Sequence, residues 1–226
     1  MTGLVEQARA GLAELADPVA AEQMRAYMKS PMPFRGVPKP ARDRLLRVLV
    51  AEHPPADADA LRAAVTALWT GARYREERYL ALSLTSHRRY ERLLDLTWLP
   101  VWRKWIVEGA WWDFTDEIAN RRIGPLLRAH PAELLPTLRA WAVDADRWLR
   151  RTSIICQLGS RGDIDLDLLT ATIEANVDDP DFFLRKAIGW ALRQHAKTDP
   201  DWVREFVAQH PGLSPLSRKE ALKHVG

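Results

Sequence analysis

Apolar residues recur along the chain at the three- and four-residue spacing of helices with one buried face, and no stretch sustains the alternation of a half-buried strand. Leu4, Ala8, Leu12 and Leu15 mark a first helix that stops at Asp17-Pro18, where proline can open a second. Residues 29–40, KSPMPFRGVPKP, hold four prolines and a glycine and predict an irregular connection. Leu45, Leu46, Leu49 and Val50 mark a helix ending at His53-Pro54, and Leu61, Val65, Leu68 and Trp69 one ending at Gly71. Tyr79 to Leu84 belong to a further helix, Tyr90 to Leu94 to a short one, and Pro100 opens the helix that carries Trp102, Trp105 and Ile106. Downstream, 131–143, 146–158, 166–177, 181–196 and 199–208 read as amphipathic helices with short connections. At His53-Pro54, His130-Pro131 and His210-Pro211 the imidazole can meet the last free carbonyls before proline stops the helix, a structural role rather than a ligand one.

The pattern repeats. WLRRTSIICQL from Trp148 lies over FLRKAIGWAL from Phe183 at a displacement of 35 residues. That period, with paired helices, predicts an all-α fold: one domain over 1–226, an α-solenoid of antiparallel helix pairs of HEAT type. The same displacement puts Asp116, Arg151 and Lys186 in one structural slot, with Trp112 and Arg147 a turn before their slots and Trp190 a turn after Lys186. If the second helix of each pair lines the concave face, these residues give a groove a basic wall, two indoles and one acid.

Composition narrows the classes. At 47% hydrophobic and 28% charged over 226 residues the chain can bury a sizeable core. It has no long apolar run and no signal-peptide pattern at MTGLVEQARAG, so neither a membrane span nor export is expected and a cytoplasmic location is. Cys156 is the only cysteine, which excludes an internal disulfide or a multi-cysteine metal site; inside an apolar helical pattern and without a nearby histidine it reads as a small buried hydrophobe. No P-loop, dinucleotide fingerprint or HExxH is present, and neither a cofactor nor a metal is expected. The net charge of +3 is modest, but a pI near 9.2 fits a polyanionic partner.

Placement says more than net charge. Arg147, Arg150, Arg151, Arg185, Lys186, Arg193 and Lys197 form a basic series on two helices, suited to tracking phosphates, although a solvated helix surface also carries such residues. Arg121, Arg122, Arg218, Lys219 and Lys223 extend it, and Arg42 and Arg44 are candidates for the far side of a duplex. Of the ten tryptophans, Trp69, Trp98, Trp102, Trp105, Trp141 and Trp202 read as packing, whereas Trp112 and Trp190 coincide with charged slots, where an indole face can stack a base or attract a cation. Asp113 suits a helix cap. Asp116, a turn further in, is a carboxylate in a basic groove, which repels phosphate unless it has another task; stabilising an oxocarbenium-like sugar and orienting water is one.

These segments resemble the DNA alkylation repair glycosylases built from HEAT-like repeats, through YMKSPMPFRGVPKPARDRLLR, EERYLAL, AWWDFTDEIA, WLRRTSII and FFLRKAIGWALRQHAKTDPDWVREFV. The resemblance implies excision of cationic N3- or N7-alkylated purines from double-stranded DNA, without a metal and without a deep base pocket. It matches Trp112 and Trp190 to an aromatic pair against the lesion's deoxyribose, Asp116 to the catalytic carboxylate, Arg151 to a backbone-contacting arginine and Lys186 to a backbone role, and so implies a monofunctional glycosylase. Non-catalytic DNA binders, glycosylases for bulky purine adducts and protein-interaction scaffolds are the alternatives. The expected partner is alkylated duplex DNA, and a monomer is expected.

Overall fold

The computed structural model describes residues 2–225, and all regular structure among them is helical. The chain divides into two compact units, 1–95 and 96–226.

The first unit contains α1 (Thr2–Glu14), α2 (Pro18–Met28), α3 (Lys39–Glu52), α4 (Ala58–Thr70) and α5 (Arg75–Thr85). Asp17 caps α2 by accepting the N–H groups of Val19 at 2.9 Å and Ala20 at 3.1 Å, and Pro18 takes the first helical position. Leu12, Leu49, Leu61, Val65, Leu68, Trp69, Leu80 and Leu84 fill the core between α1, α3, α4 and α5. The proline-rich connection is irregular, as its composition predicts, and three of its successive backbone donors are satisfied by a side chain. The buried Glu76 carboxylate accepts the N–H groups of Arg35 at 3.0 Å, Gly36 at 2.9 Å and Val37 at 3.1 Å. Gly36 has φ 82°, and a Cβ there would stand 2.1 Å from the Asp17 carbonyl oxygen, so both conformation and space require glycine. Arg42, a candidate duplex contact, donates to the Val37 carbonyl at 2.7 Å and lies 4.5 Å over the Tyr79 ring, which ties it to the same connection; Arg44 is exposed. The short helix expected at Tyr90 is a 3₁₀ segment, Arg88–Leu93, closed by three-residue bonds such as Leu94 N–H to the Glu91 carbonyl.

The second unit contains α6 (Leu99–Gly109), α7 (Trp112–Ile118), α8 (Gly124–Ala129), α9 (Pro131–Ala142), α10 (Arg147–Ile155), α11 (Leu166–Glu174), α12 (Phe182–His195), α13 (Pro200–Gln209) and α14 (Pro215–Ala221). A π-helical turn, Ala119–Ile123, joins α7 to α8 without a break. Pro125 has no N–H and its ring would press on a carbonyl one turn back, so a widened turn ahead of it lets the helix continue. Asp146, Asp165, Asp181 and Asp199 cap α10, α11, α12 and α13 through their side chains. At His210 the expected imidazole-to-carbonyl contact is present, Nδ1 standing 2.7 Å from the Phe206 oxygen.

α7 packs against α10, α10 against α12, and α12 against α14. α14 has no counterpart among the helices expected from the sequence; Ser214 caps it and Pro215 opens it. Two glycines allow close approaches. A Cβ at Gly124 would lie 2.4 Å from the Cys156 carbonyl oxygen after α10, and one at Gly189 would lie 2.9 Å from the Ser217 carbonyl oxygen on α14. Cys156 is buried, and burial pushes its thiol up to about 12, as suits an inert core residue.

Candidate nucleic-acid interface and carboxylate site

Trp111 occupies the capping position of α7, so Trp112 and Asp113 are the first two helical residues. Asp113 is therefore an acid of the first turn rather than the cap, still favourable at the positive end of the helix. One turn on, Asp116 shares the Trp112 face, and its main-chain oxygen accepts the Asn120 amide from the π turn at 2.8 Å.

The Asp116 carboxylate is not a lone charge. Arg151 on α10 grips it with a parallel fork, Nε to Oδ1 and Nη2 to Oδ2, both 2.8 Å. The third nitrogen of the guanidinium, Nη1, donates to the Phe183 carbonyl at the start of α12 at 2.6 Å. Arg151 thus joins three helices, and its side chain is only 5% exposed against 16% for Asp116. Burial raises the Asp116 pKa above the ordinary carboxylate value, the Arg151 hydrogen bonds and charge oppose that rise, and the Asp113 charge adds to it. Arg151, matched by the resemblance to a backbone-contacting arginine, directs its donors to Asp116 and Phe183, and so fixes the carboxylate's orientation.

The rest of the basic series is also engaged within the protein. Arg147 meets the Asp181 carboxylate at 2.9 Å, Arg150 meets Asp179 at 2.7 Å, and Arg185 Nε donates to the Asp179 main-chain oxygen at 3.0 Å. Lys186 meets Glu220 at 2.6 Å, and Arg193 meets the other oxygen of the same carboxylate. Lys197, exposed at the end of the series, donates to the Gln194 amide oxygen at 2.8 Å. Of the proposed extensions, Arg121 pairs with Glu117 at 3.2 Å, and Arg122 is buried with its guanidinium 5.8 Å from the Trp102 ring centre. Arg218 donates weakly to the Val207 carbonyl, whereas Lys219 and Lys223 are exposed. Asp116 and Arg151, 35 residues apart, thus form an ion pair between neighbouring helices, whereas Arg147, Arg150, Lys186 and Arg193 meet acids outside that register.

Trp69, Trp98, Trp102, Trp105 and Trp141 are buried, in keeping with packing, and Trp202 is half-buried, stacked on Phe206 with ring centres 4.9 Å apart. Trp112 and Trp190 are likewise half-buried, and Trp190 lies against the core of α10 to α14. Trp111, the first half of the Trp-Trp doublet, has another function. It stands edge-on to Phe183 at 5.4 Å and 6.0 Å from Trp148, so one aromatic cluster fastens α7, α10 and α12 beside the Asp116–Arg151 pair. The Arg147 guanidinium lies 5.2 Å from the Trp148 ring and 5.8 Å from Phe183.

Apart from Asp116, the acids that engage the cations, Asp179, Asp181 and Glu220, are not singled out by the sequence pattern read above. A signal was present: Asp144-Ala145-Asp146 and Asp179-Pro180-Asp181 stand 35 residues apart, just ahead of the aligned segments. In each, the second aspartate caps a helix while the first binds its successor's N–H and meets an arginine from an earlier helix, Arg103 at 3.6 Å or Arg150 at 2.7 Å. Glu220 had no such signal, because α14 falls outside the repeat as aligned.

The sequence model of a family described as DNA alkylation repair enzyme matches residues 8–225. Among solved structures, the chain is similar to a predicted DNA alkylation repair enzyme from Enterococcus faecalis, with 31% identity and a TM-score of 0.84 over 93% of this chain and 97% of that one. No curated protein sequence matches it.

Proposed function

From its membership of the DNA alkylation repair enzyme family, to which this chain belongs, we propose that it is a monofunctional DNA glycosylase that hydrolyses the N-glycosidic bond of cationic N3- or N7-alkylated purines in double-stranded DNA. The observation that carries this reading is Asp116: a partly buried carboxylate, held in one orientation by a two-pronged arginine, on the helix face of the half-buried Trp112. The proposed architecture is a solenoid of HEAT-like helix pairs acting as a monomer in the cytoplasm, with Trp112 and Trp190 against the lesion's deoxyribose.

The chemistry needs little from the protein. An alkylated purine that already carries positive charge leaves as a neutral base, taking the C1′–N electron pair, so no general acid is required. Positive charge then develops on the sugar, where the Asp116 carboxylate stabilises it. Water adds at C1′ and gives up a proton to Asp116 or to solvent, leaving an abasic site and an intact strand. An indole face near the cation contributes about 0.5–2 kcal/mol. The residues proposed here call for no metal or cofactor.

The test is release of 7-methylguanine or 3-methyladenine from methylated duplex DNA. Wild type should release base, and Asp116→Asn should be slower by about 10²-fold, the cost of losing one preorganised electrostatic group. Undiminished release by the variant would remove Asp116 from the mechanism. Binding without base loss by either protein would instead support the second reading, a non-catalytic DNA-binding repeat protein.

A further inference from the structure

Glu220 on α14 reaches two cations on one face of α12. Its Oε1 meets Lys186 at 2.6 Å and its Oε2 meets Arg193. Those cations lie seven residues apart, two helical turns, and Trp190 stands between them, a turn after Lys186. The contact is built into the packing: Gly189 lets α14 approach until a Cβ there would be 2.5 Å from the Glu220 Cβ, and Ser217 donates to the Arg185 carbonyl at 2.9 Å. Side-chain exposure is 14% for Glu220 but 39% for Lys186 and 23% for Arg193, so both cations are more open to an outside anion than the acid that engages them. The Lys186 hydrogen bond, with the charges of Lys186, Arg193 and Lys223, holds the Glu220 carboxyl below its usual range, so it is ionised at neutral pH. Asp179 and Asp181 also engage arginines, but each additionally accepts a backbone N–H, whereas Glu220 lies inside its helix and is no cap.

We propose that Glu220 is a specificity-determining residue: it acts as an internal competitor for phosphate at Lys186 and Arg193, and so suppresses sequence-independent binding to undamaged duplex. This rests on the reading of the protein as a DNA-binding enzyme. A phosphate that reaches either cation must displace or share the carboxylate, so backbone contact alone gains little on this part of the surface. Tight engagement then depends on further contacts, such as those a lesion makes beside Trp190.

The experiment measures binding of the whole protein to an unmodified duplex across a salt series, for wild type, Glu220→Gln and Glu133→Gln. Glu133 is an exposed acid on α9, so its variant matches the change in net charge. Glu220→Gln should bind about tenfold tighter at low salt and steepen the dependence of log affinity on log salt by nearly 2, the equivalent of about two phosphate contacts. The control should stay close to wild type, and Lys186→Gln with Arg193→Gln in the Glu220→Gln background should abolish the gain. A folded Glu220→Gln whose affinity and slope match those of the control would overturn the proposal. Base release from methylated duplex by the same wild-type preparation reports separately on the glycosylase reading, because binding to the unmodified duplex involves no chemistry.

Discussion

Ionisation of Asp116 sets the pH at which the proposed chemistry can run, and two neighbours push it in opposite directions. Burial holds its pKa above the ordinary carboxylate value, Arg151 opposes that rise and Asp113 reinforces it. A carboxyl group that binds its proton more tightly in the folded protein contributes stability in acid and loses that contribution as pH rises through its folded pKa. At neutral pH its ionised form is therefore sustained largely by Arg151. The acid limb of kcat/KM for base release should lie above the ordinary carboxylate range. It should move to higher pH in Arg151→Met and to lower pH in Asp113→Asn, read from a pH profile of each variant. Arg151→Met should also lower the free energy of unfolding by about 3 kcal/mol, because it breaks a largely buried pair. The pairing was half legible in the sequence, since a 35-residue displacement put an acid and an arginine in corresponding slots on helices that prove to be neighbours. The burial of Arg151 was not, because it depends on the Phe183 carbonyl, and nothing in a side-chain pattern reports where a backbone oxygen points.

The starts of α2, α9, α10, α12 and α13 were legible because they rest on local chemistry: aspartate before α2, α10, α12 and α13, and proline in the first turn of α2, α9 and α13. The π turn was not, because Phe114, Ile118 and Ile123 preserve an apolar helical face through it and only Pro125 hints at the widened turn. The same continuous helix contains Gly124, whose missing side chain admits the Cys156 carbonyl. Replacing glycine by alanine inside a helix ordinarily gains about 1 kcal/mol. Here the added methyl meets backbone rather than a yielding side chain, so Gly124→Ala should destabilise by about 1–3 kcal/mol instead. Urea denaturation monitored by circular dichroism gives the sign directly, and a midpoint above that of wild type would show that α10 can retreat.

Across the whole molecule the sequence showed the helical class and the excess of arginine, but it could not show how much of that charge is already matched. The formal charge of +3 comes from 33 basic and 30 acidic residues, and in the second unit Asp116, Asp179, Asp181 and Glu220 each meet members of the basic series. Charge counting overstates the available cations because it ignores pairs formed across neighbouring helices. The first unit shows the converse, a negative group serving backbone alone. Glu76 accepts three successive N–H groups of a connection that has no helical bonds of its own. Such a connection would ordinarily exchange its amide hydrogens with solvent almost at once. The amides of Arg35, Gly36 and Val37 should instead exchange as slowly as those of the α5 core, with Glu76→Gln restoring fast exchange, as resolved by deuterium uptake at single residues. Their exchange would then report the opening of the helix that carries Glu76, making an irregular stretch of chain a timer for the element it is tied to.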